Sequence, residues 1–249
     1  MSIEMKGVAK AFGDKQVLTD FSLEVREGEV VSVIGPSGSG KSTALKHIIR
    51  LIEPDEGEIW VDGEEVGTLE LDDLYELRRK VGYVFQFAAL FDSMTVFDNV
   101  AMGLRRIRGL TEGDIRDRVR EALERVDLTG NEDKYPDELS GGMRKRAGVA
   151  RAITLNPRYL LYDEPTTGLD PVTVTMVDRL IAQMQDELEV TSLVITHDLE
   201  SAYRISDRIA MLHKGRVQAV GPPESIQESD DPVVRAFVKG RPEEWEELQ

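Results

Sequence analysis

No cysteine occurs anywhere in the 249 residues, which removes disulfide scaffolds, thiolate metal sites and cysteine nucleophiles together. No apolar run approaches the ~20 residues that span a bilayer. The opening Met1-Ser2-Ile3-Glu4-Met5-Lys6 also lacks the charged-then-apolar pattern of a signal peptide. The expectation is a cytoplasmic protein with no direct membrane insertion. Basic residues are in deficit, with 31 Lys and Arg against 47 Asp and Glu, and the formal charge is −16. That balance argues against nucleic acid and anionic lipid as direct partners, because both attract basic surfaces. Adaptation to a salty or hot habitat accounts for it equally well. Internal repeats, low-complexity segments and sustained heptads are all missing. What remains, at 41% hydrophobic residues, is ample for a substantial core.

Against these absences stands a dense glycine and serine loop, Gly35-Pro36-Ser37-Gly38-Ser39-Gly40-Lys41-Ser42-Thr43. It follows a short β-branched run, Gly28-Glu29-Val30-Val31-Ser32-Val33-Ile34, that reads as a buried parallel strand, and it precedes residues 42–52, whose apolar positions have helical spacing. Strand, glycine loop and helix start together form a polyphosphate cradle. The glycines let successive N–H groups curl around the anion, and the helix adds its positive dipole end. Lys41 is placed to reach the outer phosphates and the Ser42 hydroxyl to ligate Mg²⁺. Each helix-end interaction is worth only ~0.3–1 kcal/mol at exposed sites, so several donors must converge.

A second site is Arg158-Tyr159-Leu160-Leu161-Tyr162-Asp163-Glu164-Pro165, an apolar run closed by two carboxylates. Ligands of open α/β sheets collect at the C-terminal ends of strands, so the pair is expected to face the phosphates. Asp163 would orient Mg²⁺ or a water bound to it, and Glu164 would polarise the attacking water as general base.

Between the two lies Leu139-Ser140-Gly141-Gly142-Met143. Loop, signature and acid pair, in this order and spacing, resemble the ATPase subunits of ABC transporters over nearly the whole chain. The resemblance implies an α/β fold, a P-loop NTPase of ABC-ATPase type. Its mixed sheet core would carry a small antiparallel β subdomain and a helical signature subdomain. It also implies ATP with Mg²⁺, and a homodimer in which Ser140, Gly141 and Gly142 of one copy face the nucleotide of the other. Gln86 matches the Q-loop glutamine that touches Mg²⁺ or water and senses the permease, and His197 matches the switch histidine that contacts the γ-phosphate. Asp170, in Gly168-Leu169-Asp170, matches the D-loop that crosses the dimer seam. Phe12, before Gly13-Asp14, matches an aromatic that stacks on adenine, with a plain core residue as its alternative.

Methionine at 143 replaces the usual glutamine of the signature. Backbone donors do not depend on that side chain, so function is expected to survive. The stretch Phe85 to Val100 and the run Leu139 to Ala152 are most similar to the Mla-type phospholipid transport ATPases, also associated with organic-solvent or toluene tolerance. Two later pieces, His197 to Arg208 and Ser229 to Phe237, agree. That resemblance implies an integral-membrane permease with an MCE-domain subunit as partners, and a place on the inner face of the cell membrane through the permease. Polar amino-acid importers share the frame but usually keep the glutamine.

Alternating segments within 2–27 and 57–62 predict a small antiparallel sheet, and helical spacing from about 88 to 155 predicts the signature subdomain. Residues 1–240 are expected to form one ATPase domain, followed by an acidic tail at 241–249. Phe87, Leu90, Phe91, Met94 and Phe97 read either as a groove for the permease or as core, with some of the five buried in either case. Trp245 reads either as a dimer anchor or as part of a fraying terminus.

Overall fold

In the computed structural model, residues 2–248 are described, and the chain divides into two compact units, 1–77 with 191–249, and 78–190. The first unit contains β1 (Ser2–Phe12), β2 (Lys15–Arg26), β3 (Val30–Ile34), α1 (Lys41–Ile48), β4 (Glu56–Val61), β5 (Glu64–Glu65) and most of α2 (Leu71–Arg79). The second contains β6 (Val81–Val84), α3 (Val96–Ala101), α4 (Glu112–Arg125), α5 (Gly141–Ile153), β7 (Tyr159–Asp163) and α6 (Pro171–Leu188). The chain then returns to the first unit with β8 (Thr191–Ile195), α7 (Leu199–Ile205), β9 (Arg208–His213), β10 (Arg216–Gly221), α8 (Pro223–Gln227), α9 (Pro232–Val238) and α10 (Pro242–Glu247).

The antiparallel part forms as the alternation predicts. Phe21, Leu23 and Val25 of β2 point inward while their neighbours stay wet. β1 pairs with β2 on one side and β4 on the other. The alternation of β1 slips between Met5 and Val8, where the register shifts at Gly7 with φ of 59°, so Val8 and Ala9 are buried in succession. The strands that carry chemistry are different in kind. β3, β7 and β8 are buried at every residue, as parallel strands covered on both faces must be. β3 lies parallel between β8 and β9. In the second unit β6 and β7 are parallel.

Helix α4 starts with a reciprocal capping box, Thr111 with Asp114, and buries Ile115, Val119, Ala122 and Leu123 along one stripe. Burying each large aliphatic side chain of that stripe is worth roughly 1.5–3 kcal/mol. Among the described residues no helix is long and apolar enough to cross a membrane.

The C-terminal segment packs on its own chain. Ile34, Ala202, Ile209, Met211, Ile226 and Val234 form a buried cluster, and Trp245 lies against it. The indole meets the His213 ring edge-on at 5.1 Å and the Phe237 ring at 5.5 Å. Trp245 is thus half-buried on its own chain rather than frayed, because an apolar cluster that includes the end of β3 gives the indole a surface to cover.

Candidate active site

β3 ends at Ile34, and in the loop that follows Gly35, Gly38 and Gly40 have φ of 151°, 77° and 103°. Space demands glycine at two of these positions as well. A Cβ on Gly35 would lie 2.4 Å from Leu212 O, and one on Gly40 would lie 2.8 Å from Val17 Cγ1. The loop is therefore pressed against β9 and β2. Pro36 and Ser37 form its rim, and Ser37 and Gly38 are exposed. Helix α1 begins at Lys41 with no side-chain cap, so its first-turn N–H groups and dipole are the donors of the loop. Lys41 Nζ donates to Gly35 O at 2.8 Å and Pro36 O at 3.0 Å, folding the ammonium over the loop. Ser39 Oγ is buried with no hydrogen-bond partner. A cradle closed to a Cβ at Gly35 and Gly40, a converging ammonium and an unpartnered buried hydroxyl fit a polyphosphate carrying Mg²⁺. Ser42 and Thr43 sit half-buried in the first turn of α1 behind them.

Val33 pairs with Ile195 in the parallel register, so the residues after β3 and after β8 leave the sheet at the same edge. His197 is therefore delivered to the side from which Gly35 departs. Thr196 N–H donates to Val33 O at 3.2 Å, and the Asp198 carboxylate accepts from Ser201 N–H to cap α7. His197 is left exposed in the turn between them. Phe12 ends β1 at the hairpin, 49% exposed, with Lys10 Nζ 5.7 Å from its ring, which removes the core alternative.

In the second unit Val84 pairs with Tyr162, so Gln86 and Glu164, each two residues further on, also leave one common edge. Asp163 and Glu164 are both buried. The Tyr83 hydroxyl donates to Asp163 Oδ2 at 3.1 Å, and burial, followed by the Asp163 charge, pushes its own pKa far up, so it stays a donor. Thr167 Oγ1 donates to Glu164 Oε2 at 2.9 Å. Glu164 itself has φ of 51°, a left-handed backbone that turns the chain sharply after the strand.

Ser140 is the N-cap of α5, its Oγ accepting from Met143 N–H at 3.3 Å, so the amides of Gly141 and Gly142 open the helix. Gly142 has a packing reason too: a Cβ there would lie 2.6 Å from Thr173 Cγ2. Asp170 caps α6, accepting from the N–H groups of Val172 and Thr173, while the Thr173 hydroxyl holds its other oxygen at 2.5 Å. These bonds, the Thr173 side chain first, hold its carboxyl below the usual range.

The profile of the ABC transporter family matches residues 18–167, a span that includes the phosphate loop, the signature and the acid pair. The chain belongs to the ABC transporter family. ABC ATPases of this kind hydrolyse ATP with Mg²⁺, dimerise and work with a membrane permease. The chain is similar to a probable ribonucleotide transport ATP-binding protein, mkl, of Mycobacterium leprae: 43% identical over 241 residues, covering 97% of this chain and 70% of that one. It is also similar to an intermembrane phospholipid transport system ATP-binding protein, MlaF, of Haemophilus influenzae: 40% identical, covering 96% of this chain and 90% of that one. Among solved structures, a dimeric ATP-binding cassette in a post-hydrolysis state, bound to ADP and Pi, aligns with a TM-score of 0.81. It is 35% identical, over 89% of this chain and 98% of that one.

Sequence reasoning on this ABC chain missed Tyr83, Thr167 and Lys145. Lys145 was open to discovery, because helical spacing from Gly148 and Ala152 places it on the buried face of α5. Tyr83 and Thr167 act through cross-element contacts that no spacing announces. The apolar cluster needs a correction: none of its five members is buried. Phe87 and Phe91 are 80% and 51% exposed, and Leu90, Met94 and Phe97 are half-buried. Asn99 is the physical reason at Phe91 and Met94. Its side chain occupies the interior, bonding Phe91 N–H and the carbonyls of Phe91, Met94 and Thr95, which ties the loop by its backbone and turns these two side chains outward.

Proposed function

We propose that this chain is the ATP-hydrolysing subunit of a homodimer that powers a phospholipid-transporting permease with an MCE-domain subunit, held on the cytoplasmic face of the membrane by that permease. Lys41 and the N–H groups of residues 35–43 hold the phosphates, and Phe12 stacks on adenine. Ser42, Gln86 and Asp163 would hold Mg²⁺, which neutralises the polyphosphate charge when bound. Glu164 polarises the attacking water, and the Thr167 hydroxyl fixes the rotation of its carboxylate for that purpose. His197 contacts the γ-phosphate. Ser140, Gly141, Gly142 and Asp170 serve the nucleotide of the second copy, so closure of two chains completes two sites.

The observation that carries the lipid reading is Met143 in the signature. A second reading, a cassette for a small polar solute, is favoured by the mycobacterial relative, whose name says ribonucleotide transport and whose identity is as high.

Glu164→Gln is expected to bind ATP while losing about 10²–10⁴ in turnover, and near-normal turnover would remove Glu164 from the role. Trapped with ATP in native membranes and recovered in mild detergent, the same variant should bring down a multispanning permease, an MCE-domain protein and enriched phospholipid by mass spectrometry. A permease with a soluble small-solute receptor would overturn the lipid half and keep the ATPase.

A further inference from the structure

Helix α5 grips two strained segments of its own unit with cations. Lys145, Gly148 and Arg151 follow one another at three-residue intervals and face the same side. Lys145 is only 6% exposed, and its Nζ donates to Gln86 O and, at 3.2 Å, to Glu164 O. One turn on, Gly148 lets Ala88 approach so closely that a Cβ would lie 3.2 Å from Ala88 Cβ. Arg151 then donates to Ala88 O and Ala89 O, both at 2.6 Å. Residues 86–89 thus run along this face of α5.

The backbone held there is unusual. Ala88 and Ala89 have φ of 59° and 47°, and Glu164 has φ of 51°. A left-handed backbone costs a non-glycine residue roughly 1–2 kcal/mol, and it persists where surrounding contacts over-determine it. At all three residues a cation of α5 holds the carbonyl. Lys145 is expensive in this place. Burial pulls its pKa below the ordinary lysine value, against the through-space attraction of Glu164 and then Asp163. An apolar side chain of similar volume would avoid that desolvation but would leave the Gln86 and Glu164 carbonyls without their cation.

We propose that Lys145 is a positioning residue whose ammonium ties the Gln86 carbonyl to the Glu164 carbonyl, so that the Q-loop and the general base move together and turnover depends on the tie while ATP affinity does not. The proposal rests on the reading of Glu164 as general base.

The test uses the full-length chain in its detergent-solubilised membrane complex and compares Lys145→Met, Lys145→Gln and Glu164→Gln. In Lys145→Met, amide exchange at 86–90 and 164–168 should accelerate about tenfold or more while α4 keeps its protection. At the same time kcat should fall about 10- to 100-fold with the KM for ATP within about twofold, the scale of a catalytic group displaced by about 1 Å. Lys145→Gln, a shorter neutral donor, should regain most of the lost kcat and return exchange at both segments towards the wild-type rate, and Lys145→Leu carries the exchange comparison if the methionine variant does not fold. Unchanged exchange at either segment, or a kcat within twofold of wild type where Glu164→Gln is inactive, overturns the proposal, as does lost protection throughout α4. If Glu164→Gln hydrolyses ATP normally, the base assignment fails, and exchange at the two segments alone decides whether the tie exists.

Discussion

Gly142→Ala should fail for a reason that a second substitution repairs. Gly142 is the second residue of α5, and the added Cβ would lie 2.6 Å from Thr173 Cγ2, with the remaining Thr173 atoms at 3.9 Å or beyond. The methyl has no easy exit, because turning χ1 of Thr173 takes its hydroxyl off the Asp170 carboxylate, where it donates at 2.5 Å. Overpacking of this kind costs about 1–3 kcal/mol. The helix preference for alanine over glycine offsets up to ~1 kcal/mol of that. The net loss is about 1–2 kcal/mol, or roughly 2–8 °C in Tm for a chain of this size. Thr173→Ser deletes the offending methyl and keeps the hydroxyl, so Gly142→Ala combined with Thr173→Ser should recover most of the loss. Thermal unfolding of the four proteins gives the double-mutant cycle, with an expected coupling of about 1–2 kcal/mol. ATP turnover should return with stability, since alanine keeps the amide donors of the signature. Additive effects, with coupling below ~0.5 kcal/mol, would refute the contact as the reason for glycine.

Two further expectations follow from buried polar groups. The Tyr162 hydroxyl is buried without a hydrogen-bond partner, so Tyr162→Phe should leave the denaturant midpoint unchanged or raise stability by ~1 kcal/mol. A loss of that size would show that the hydroxyl has a partner. His47 has its pKa held below the ordinary value, by burial first and by Lys10, against the Ile52 carbonyl and Asp55. The unfolded chain therefore takes up the proton first. The contribution of His47 is intact above about pH 6.5 and declines as pH falls towards the lower folded value. His47→Gln, which can still donate to Ile52 O, should flatten the urea midpoint between pH 7 and 5 relative to wild type, and parallel profiles would contradict the assignment.

Much of this molecule was legible in local sequence. The phosphate loop could be read because glycine, lysine and serine at fixed intervals have one physical use between a buried strand and a helix, and the structure supplies the strand, the loop and α1. The antiparallel strands were legible from period-two alternation, except at Gly7, where a bulge breaks the period. Helix α4 announced itself by the helical spacing of its apolar residues, while its Thr111 cap came from the structure. Glu164 was recognised as an acid at a strand end, but its left-handed backbone and its Thr167 partner were not.

Tertiary structure alone decided the rest. A sequence states which residues are apolar, not which win the interior, so the outward turn of Phe91 goes with Asn99 filling the space with four backbone bonds. Gly142 reads as a flexible signature residue until α6 brings Thr173 against it. Trp245 read as a loose terminus or an anchor, and only the fold shows the cluster behind β3 on which it packs. Lys145 had no reading of its own, and only the fold, bringing the carbonyls of Gln86 and Glu164 to one ammonium, gave it a place. The physical reason is common to all four: local pattern determines periodicity and backbone preference, while contacts between residues distant in sequence arise only when the elements pack.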